Sequence, residues 1–504
     1  IIITLILGIA IQTALIADTI YVDPSLTASG EGTFDLPYKS WNDVDWKPGN
    51  TYLQKRGTTY KSTINVDNTG LSTAWIVIGA YGEGEKPLII TNDQLGIEIS
   101  DVSYIKIQDL RIETTGQDRY YKNSGIKGNR GSYNTFENLE IGPAAGHGIY
   151  VQDKNYVVVR RCYFHHAGTK DGWDSCDNIH LENCHDYLVE YCISHDCQQG
   201  AEYDASDGGN GYTTGTWRYN IGYDSEDNDA WSHFKMSGHH PKSSVLLLYN
   251  IAYGCNRGPG YALQEELTAT AIGNVAYNCQ YGFQQKHHEN IIKNNIVMNC
   301  RIGLYIDGPN PSASDYNIWY NNDRFGIIQD GQQFQNLSDW QSYSGKDKNS
   351  FSENPMFTDP LNADFTLKTG SPAIDKGVKL DSMYANGLHP QSRWPQRVEY
   401  LDQNEYGDGW EIGAYVYTGV NTGTCHQNYN YLKIYPNPAT DWITIDDNQT
   451  RKKHHSFEII NSYGHRMLVD NQHLPNKICI SQLPAGQYFI NSEKEIIGKF
   501  IKYE

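Results

Sequence analysis

The stretch 245-VLLLYNIAYGC-255 holds a short apolar run, a bend at Tyr249 and Asn250, a second short run and a cysteine. The same phrase returns as VVVRRCYFHHA (157–167), LVEYCISHDC (188–197), TWRYNIGYDS (216–225), AIGNVAYNC (271–279), IIKNNIVMNC (291–300) and DYNIWYNND (315–323). Its central residues are Cys162, Cys192, Asn220, Asn250, Asn274, Asn295 and Asn317, at intervals of 30, 28, 30, 24, 21 and 22. A period of roughly 20–30 residues with no helical patterning predicts an all-β stack of coils, each made of short strands. Asparagine at the bend tolerates left-handed backbone and can hydrogen-bond its counterpart in the next coil, so a ladder of asparagines is expected. Five residues past each bend stand Cys197, Cys255, Cys279 and Cys300. These are read as buried, unbonded thiols stacked inside the coils.

The 504 residues carry 59 acidic and 40 basic side chains, a formal net charge of -19. Such a chain repels nucleic acid and anionic membrane. It also carries 47 glycines, 38 tyrosines and 11 tryptophans, which fit many turns and aromatic faces suited to sugar rings. The opening IIITLILGIAIQTALIAD is read as a truncated signal peptide, residues 1–17, ending at the small residue Ala17. It is too short and too broken by Gly8, Gln12 and Thr13 for a transmembrane anchor. The chain is expected to work as a monomer.

The repeat resembles the right-handed parallel β-helix of pectate lyases and related polysaccharide enzymes. YVDPSLTASGEGTFDLPYKSW, KPGNTYLQKRGTTY and WIVIGAYGEGEKPLII are similar to the opening of such secreted proteins, and NPMFTDPLNADFTLKTGSPAIDKG with WEIGAYVY to their closing coils. The β-helix domain is accordingly placed at 18–418. After a polar linker at 419–431, residues 432–504 (LKIYPNPATDWITID, FEIINSYGHRMLVD, ISQLPAGQYFI) resemble the C-terminal sorting domain of the type IX secretion system, a small β-sandwich. That resemblance implies handling by the type IX machinery of a Bacteroidota-type cell and a place outside the cell or on its outer surface.

In a β-helix alternate strand residues point outward and align from coil to coil. Along GIKGN, GIYVQ, NIHLEN, GAEYDAS, SHFKMS, GYALQEE, GFQQKHH and GLYIDG, taking apolar residues as inward leaves a polar outward row. It includes Lys127, Tyr150, Gln152, His180, Glu182, Glu202, Asp204, Lys235, Gln264, Lys286, Tyr305 and Asp307. Glu202 and Asp204 precede Lys235 by one coil. The loops HDCQQG, DASDGGNGYTTG and YDSEDND enter this face, where a rigid scaffold collects binding groups.

The stretch DAWSHFKMSG…VLLLYNIAYGCNRGPGYALQ resembles polysaccharide lyase family 9, whose lysine is the base. The resemblance implies that Lys235 removes the proton next to a uronate carboxyl group, which requires its pKa to fall from the ordinary value. It also implies a calcium site to which Asp177 and Glu202 correspond. Gln198 and Gln199 stand where two further aspartates are expected; Asp204, or the acidic cluster Asp224, Glu226, Asp227 and Asp229, offers replacement carboxylates. Lys286, beside His287 and His288, is the next candidate base, and Arg257 suits a substrate carboxylate or sulfate. His180, Gln264, His287 and Tyr305 are candidate sugar contacts, with Tyr305 or a histidine as proton donor. The pairs His165–His166, His239–His240 and His287–His288 suggest zinc, but neighbours on a regular strand face opposite ways and cannot readily share one ion.

Three functions follow: a lyase acting on a uronate-containing acidic polysaccharide, a glycoside hydrolase using a carboxyl pair such as Glu202 with Asp204, or Asp204 with Glu265 or Glu266, and a surface protein that only binds glycans.

Overall fold

The computed structural model of the chain describes residues 17–419 apart from 117–119, 169–175, 199, 225–229, 288, 312 and 330. It further describes 433–435, 442–446, 457–461, 466–470, 477–483, 486–492 and 495–502. The leader up to residue 16, the linker from residue 420, and Gln199, Glu226, Asp227, Asp229 and His288 lie outside the described residues. The chain divides into two compact units, residues 1–421 and 422–504.

The first unit is a parallel β-solenoid. Successive coils contribute one strand each to three long sheets of 12, 12 and 11 strands, and nearly every neighbouring pair in them is parallel. One sheet runs from Ile64–Asn65 to Arg324–Ile328 and is called here the cleft sheet. Its inward row is Ile126, Ile149, Ile179, Tyr203, Phe234, Tyr261, Phe283 and Leu304 in strict register. The aromatic members stack with ring centroids 4.7–5.0 Å apart, close to the spacing of strands in a sheet. All of these residues are buried, so each coil adds one layer to a continuous apolar column.

The expected asparagine ladder is present and continuous. Asn220 N–H donates to Asn250 Oδ1 at 3.0 Å, Asn250 to Asn274 at 2.9 Å, Asn274 to Asn295 at 2.8 Å and Asn295 to Asn317 at 2.9 Å. The side-chain amides make a second set of rungs at 3.0–3.1 Å. The left-handed backbone sits one residue earlier than the sequence suggests, at Arg161, Tyr191, Tyr219, Tyr249, Gly273, Asn294 and Tyr316, with φ between 55 and 67°. That bend turns the following asparagine inward, where its amide bonds replace water. Cys162 and Cys192 occupy the first ladder positions, and Cys197, Cys255, Cys279 and Cys300 are buried and unbonded, as expected.

Residues 351–417, which contain the two stretches expected as closing coils (354–377 and 410–417), add no strand to the three sheets. After a bridge between Ile318 and Phe351 they run back over the outside of the solenoid. There Phe357, Phe365, Leu388, Val398 and Tyr415 bury the outer rings of Tyr219, Tyr249 and Tyr277. The left-handed Tyr219 and Tyr249 turn their rings outward into this second core. The end of the cleft sheet is closed by the antiparallel strand Gln333–Phe334 and the helix Leu337–Ser344. Asn336 caps that helix through a reciprocal pair of bonds with Asp339, and Gly345 ends it in left-handed backbone.

The second unit has two antiparallel sheets. One joins Lys433–Tyr435, Trp442–Asp446 and Lys477–Cys479, and the other orders Arg466–Asp470, Phe457–Asn461, Gly486–Ser492 and Glu495–Lys502. Among the described residues no helix is long and apolar enough to cross a membrane.

The ladder should be needed for stability. Asn250 accepts from Asn220 and donates to Trp217 O and Asn274 Oδ1. Asn250→Ala strips partners from several buried groups at about 1–3 kcal/mol each. Chemical denaturation should therefore show a loss of several kcal/mol; a loss below about 1 kcal/mol would mean that the ladder is dispensable.

Candidate functional site

Asp204 and Lys235 are direct register partners on the outward row of the cleft sheet. Lys235 Nζ donates to Asp204 Oδ2 at 2.5 Å. The lysine is one-third exposed, and its partner is fully covered. The row continues Lys127, Tyr150, His180, Asp204, Lys235, Ala262, Gln284, Tyr305. Period-two alternation placed most of these correctly.

A cleft of about 530 Å³ opens over this row. Asp177, Gly200, Trp231, Lys235, Arg257, Gln264, Tyr281, Gln284 and Tyr305 are among its lining residues. Trp231, 59 % exposed, carries the Arg257 guanidinium over its face, and Tyr281 stacks on Tyr305 with centroids 4.9 Å apart. Gln264 Nε2 donates to Gln284 Oε1. The cleft thus offers two cations, two amides and three aromatic faces. Trp231 and Tyr281 escaped the sequence expectation because they lie at or before the start of a strand, where alternation has no anchor; Gln284 stands on the outward row two residues before Lys286.

Asp177 closes one side. Its Oδ1 accepts from Ala201 N–H at 2.6 Å and its Oδ2 from His180 Nδ1 at 2.8 Å. His180 Nε2 faces Ser206 Oγ at 2.9 Å. Burial opposes ionisation of Asp177, but the His180 hydrogen bond and the charges of His180 and Lys235 hold its pKa at about 2. His147, missed in the sequence, lies beneath, accepting from Asp177 N–H through Nδ1. Burial drives its pKa to about 3, so it is neutral.

Three expectations are corrected. Glu202 does not face the cleft. Its carboxylate points into the solenoid, accepting from Ser194 Oγ at 2.6 Å, Asn178 Nδ2 at 2.5 Å and Cys197 N–H at 2.9 Å. It occupies the corner position just before the inward row, where alternation fails; the same column reads Gly96, Gly125, Gly148, Asn178, Glu202, His233, Gly260, Gly282 and Gly303. The glycine column was the signal in the sequence that identifies the corner. Glu202 cannot form a hydrolytic pair with Asp204, because the two lie on opposite faces of the strand.

Lys235 is not primed as a neutral amine either. The Asp204 carboxylate, with Asp177 behind it, outweighs burial and raises the lysine pKa above its ordinary value. Lys286, finally, is held by both carboxylate oxygens of Glu265 at 2.8–2.9 Å, and neither it nor His287 lines the cleft.

The carboxylates also decide how calcium fits. Asp177 has committed both oxygens, Asp204 gives Oδ2 to Lys235 and keeps one buried oxygen, Oδ1, outside any hydrogen bond, Glu202 is internal, and Gln198 brings an amide. Calcium prefers several carboxylate and carbonyl oxygens around an open centre. The described residues do not supply that set, and no step below passes through the ion.

Burial raises the Glu202 pKa to about 7. Its protonated form is therefore favoured by the fold, and stability should fall as pH rises from the unfolded carboxyl value near 4.5 towards 7. Glu202→Gln should abolish that part of the dependence in denaturation curves taken across the window; an unchanged slope would show that Glu202 is ionised throughout.

Residues 433–502 match the model of the secretion system C-terminal sorting domain, and residues 81–184 that of the right handed beta helix region. No curated protein matches by sequence. Among solved structures, pectate lyase Pel9A superposes with a TM-score of 0.53 at 18% identity over 79% of this chain and 96% of its own. A mannuronic acid specific polysaccharide family 6 lyase from human gut microbiota gives 0.43 at 15% over 63% and 78%. The GH136 lacto-N-biosidase from Eubacterium ramulus gives 0.37 at 15% over 67% of each chain. The chain is a right-handed parallel β-helix joined to a type IX sorting domain, which marks it for secretion to the cell exterior or outer surface.

Proposed function

We propose that this protein is a carbohydrate-processing enzyme that cleaves a uronate-containing acidic polysaccharide by β-elimination. The observation that carries the reading is the charge of the cleft. Lys235 and Arg257 face open space whose lining holds one carboxylate, Asp177, already engaged on both oxygens. Hydrolysis by paired carboxyl groups needs two of them across the scissile bond. An anionic sugar fits this lining better, and a pectate lyase of the same fold supports the reaction class.

In this mechanism Arg257 takes the substrate carboxylate in its planar fork. Lys235 Nζ, in the neutral form left when its ammonium gives a proton to solvent, removes the proton from the adjacent carbon. The electron pair forms a carbon–carbon double bond as the glycosidic C–O bond breaks, and the leaving oxygen takes a proton from Tyr305 or from water. Trp231, Tyr281 and Tyr305 hold sugar faces, and the Asp177–His180 pair fixes the floor.

The test is to incubate the purified protein, with and without calcium, with pectic, alginate, glycosaminoglycan and sulfated algal polysaccharides. Ultraviolet absorbance of the unsaturated uronate and reducing ends are followed together. Both should appear with wild type, and Lys235→Ala should lower the rate by about 100-fold or more. Reducing ends without absorbance mean hydrolysis, and tight binding with neither signal means a glycan-binding protein; either overturns the reading.

The pH dependence has a definite sign. Because Asp204 favours the ammonium, the neutral amine and hence the rate should rise through the alkaline range. Asp204→Asn removes the charge that stabilises the ammonium, so the rising limb of the pH–rate profile should move to lower pH. A limb that stays in place would exclude Lys235 as the titrating base.

A further inference from the structure

Alternation along a strand separates adjacent histidines, but the backbone at His165–His166 departs from it. His165 ends the strand Tyr163–His165, and His166 follows with φ 56°, in left-handed backbone. Both rings therefore lie together, with their Nδ1 atoms 3.0 Å apart. One coil on, His195 is the register partner of His165, and Asp196 repeats the left-handed turn with φ 55°. His195 Nδ1 lies 2.7 Å from Asp196 Oδ2, and His166 Nε2 lies 4.0 Å from the same oxygen. One donor atom from each of His166, His195 and Asp196 falls within 4.8 Å of the others.

We propose that His166, His195 and Asp196 form a binding site for a divalent transition metal of the zinc class, with His165 and Tyr163 as positioning residues. Two imidazoles and a carboxylate suit zinc and its neighbours, whereas calcium takes oxygen donors alone. The positioning shell is already built. A metal-bound histidine needs its other ring nitrogen held by a partner. His195 Nε2 meets Tyr163 Oη at 2.7 Å, and His166 Nδ1 meets His165 Nδ1. Each ligand ring therefore turns its remaining nitrogen towards Asp196.

A bound ion takes the place of the proton that His195 shares with Asp196. Three protein ligands leave a fourth position for water on the side of His166, whose side chain is 51 % exposed. None of these residues lines the cleft. The site joins two successive coils where the chain leaves this sheet for Asp177 and Gly200, so the metal braces the turns that deliver the cleft wall. Among the described residues two other groups bring such donors together, His147–Asp177–His180 and Asp224–His233–Cys255. In the former, Asp177 and His180 are already bonded to each other and to Ala201 and Ser206; the latter is fully buried.

The experiment uses tag-free full-length protein, stripped with chelator and titrated calorimetrically with zinc chloride and, in parallel, calcium chloride. Wild type should take up zinc at this site in preference to calcium. His166→Ala and Asp196→Asn should each lose that binding while keeping the circular dichroism and melting of the metal-free wild type. Tyr163→Phe should keep the stoichiometry but weaken affinity by roughly 10-fold or more. No zinc uptake by wild type, a preference for calcium, or zinc that survives His166→Ala unchanged and is lost instead in His147→Ala would overturn the proposal.

Discussion

Asn250, Asn274 and Asn295 each accept the backbone N–H and side-chain amide of the asparagine one coil before through a single oxygen, and send their own amide hydrogens back to an earlier strand and on to the next asparagine. That bond fixes one coil against the next at the same depth, so the three sheets cannot slip independently. A one-residue slip would exchange inside for outside in every strand. The position of Asp204 beside Lys235 follows from this register. Two residues 31 apart in sequence meet because the coils between them are locked, and the ion pair inherits the precision of the ladder.

The same constraint explains which parts of the molecule were legible beforehand. The repeat phrase revealed the solenoid because each coil must meet the same neighbour contacts. Lys235, Asp204, His180 and Tyr305 were placed on one face because they lie mid-strand, where period two holds. Glu202 was misplaced because it stands at a corner, and residues there follow the curvature of the coil. Its carboxyl is accommodated because the facing residues of the adjoining sheet are small, Ser194 and Gly222 in the place held by Phe164 one coil earlier. The His166 ring lies beside that of His165 for a related reason, since the left-handed turn that ends the strand also ends alternation. The charge state of Lys235 was beyond sequence reasoning, because it depends on how deeply Asp204 is covered.

The faces of the solenoid have separate duties. The cleft sheet presents its polar row to an open cleft of about 530 Å³. The sheet bearing His165 and His195 continues through Tyr223 and Tyr253 as a stacked ring column, with centroids 4.8 and 5.0 Å apart. From Tyr253 onward Phe365 packs against that column, whereas the histidine end carries the exposed His166. The segment 351–417 therefore divides one continuous face into a packed part and an exposed part.

The strand Gln333–Phe334 and the helix Leu337–Ser344 have a meaning beyond packing Trp340. A parallel solenoid that simply stopped would present a full cross-section of unpaired backbone groups and a flat apolar floor, the template on which fibrils grow by addition of like strands. Here the last strand of the cleft sheet meets a partner running the opposite way, and a helix lies next to it. Neither can propagate the stack. The helix thus acts as a stop for the cleft sheet, closing off the end at which the internal rules of the solenoid would otherwise permit another coil.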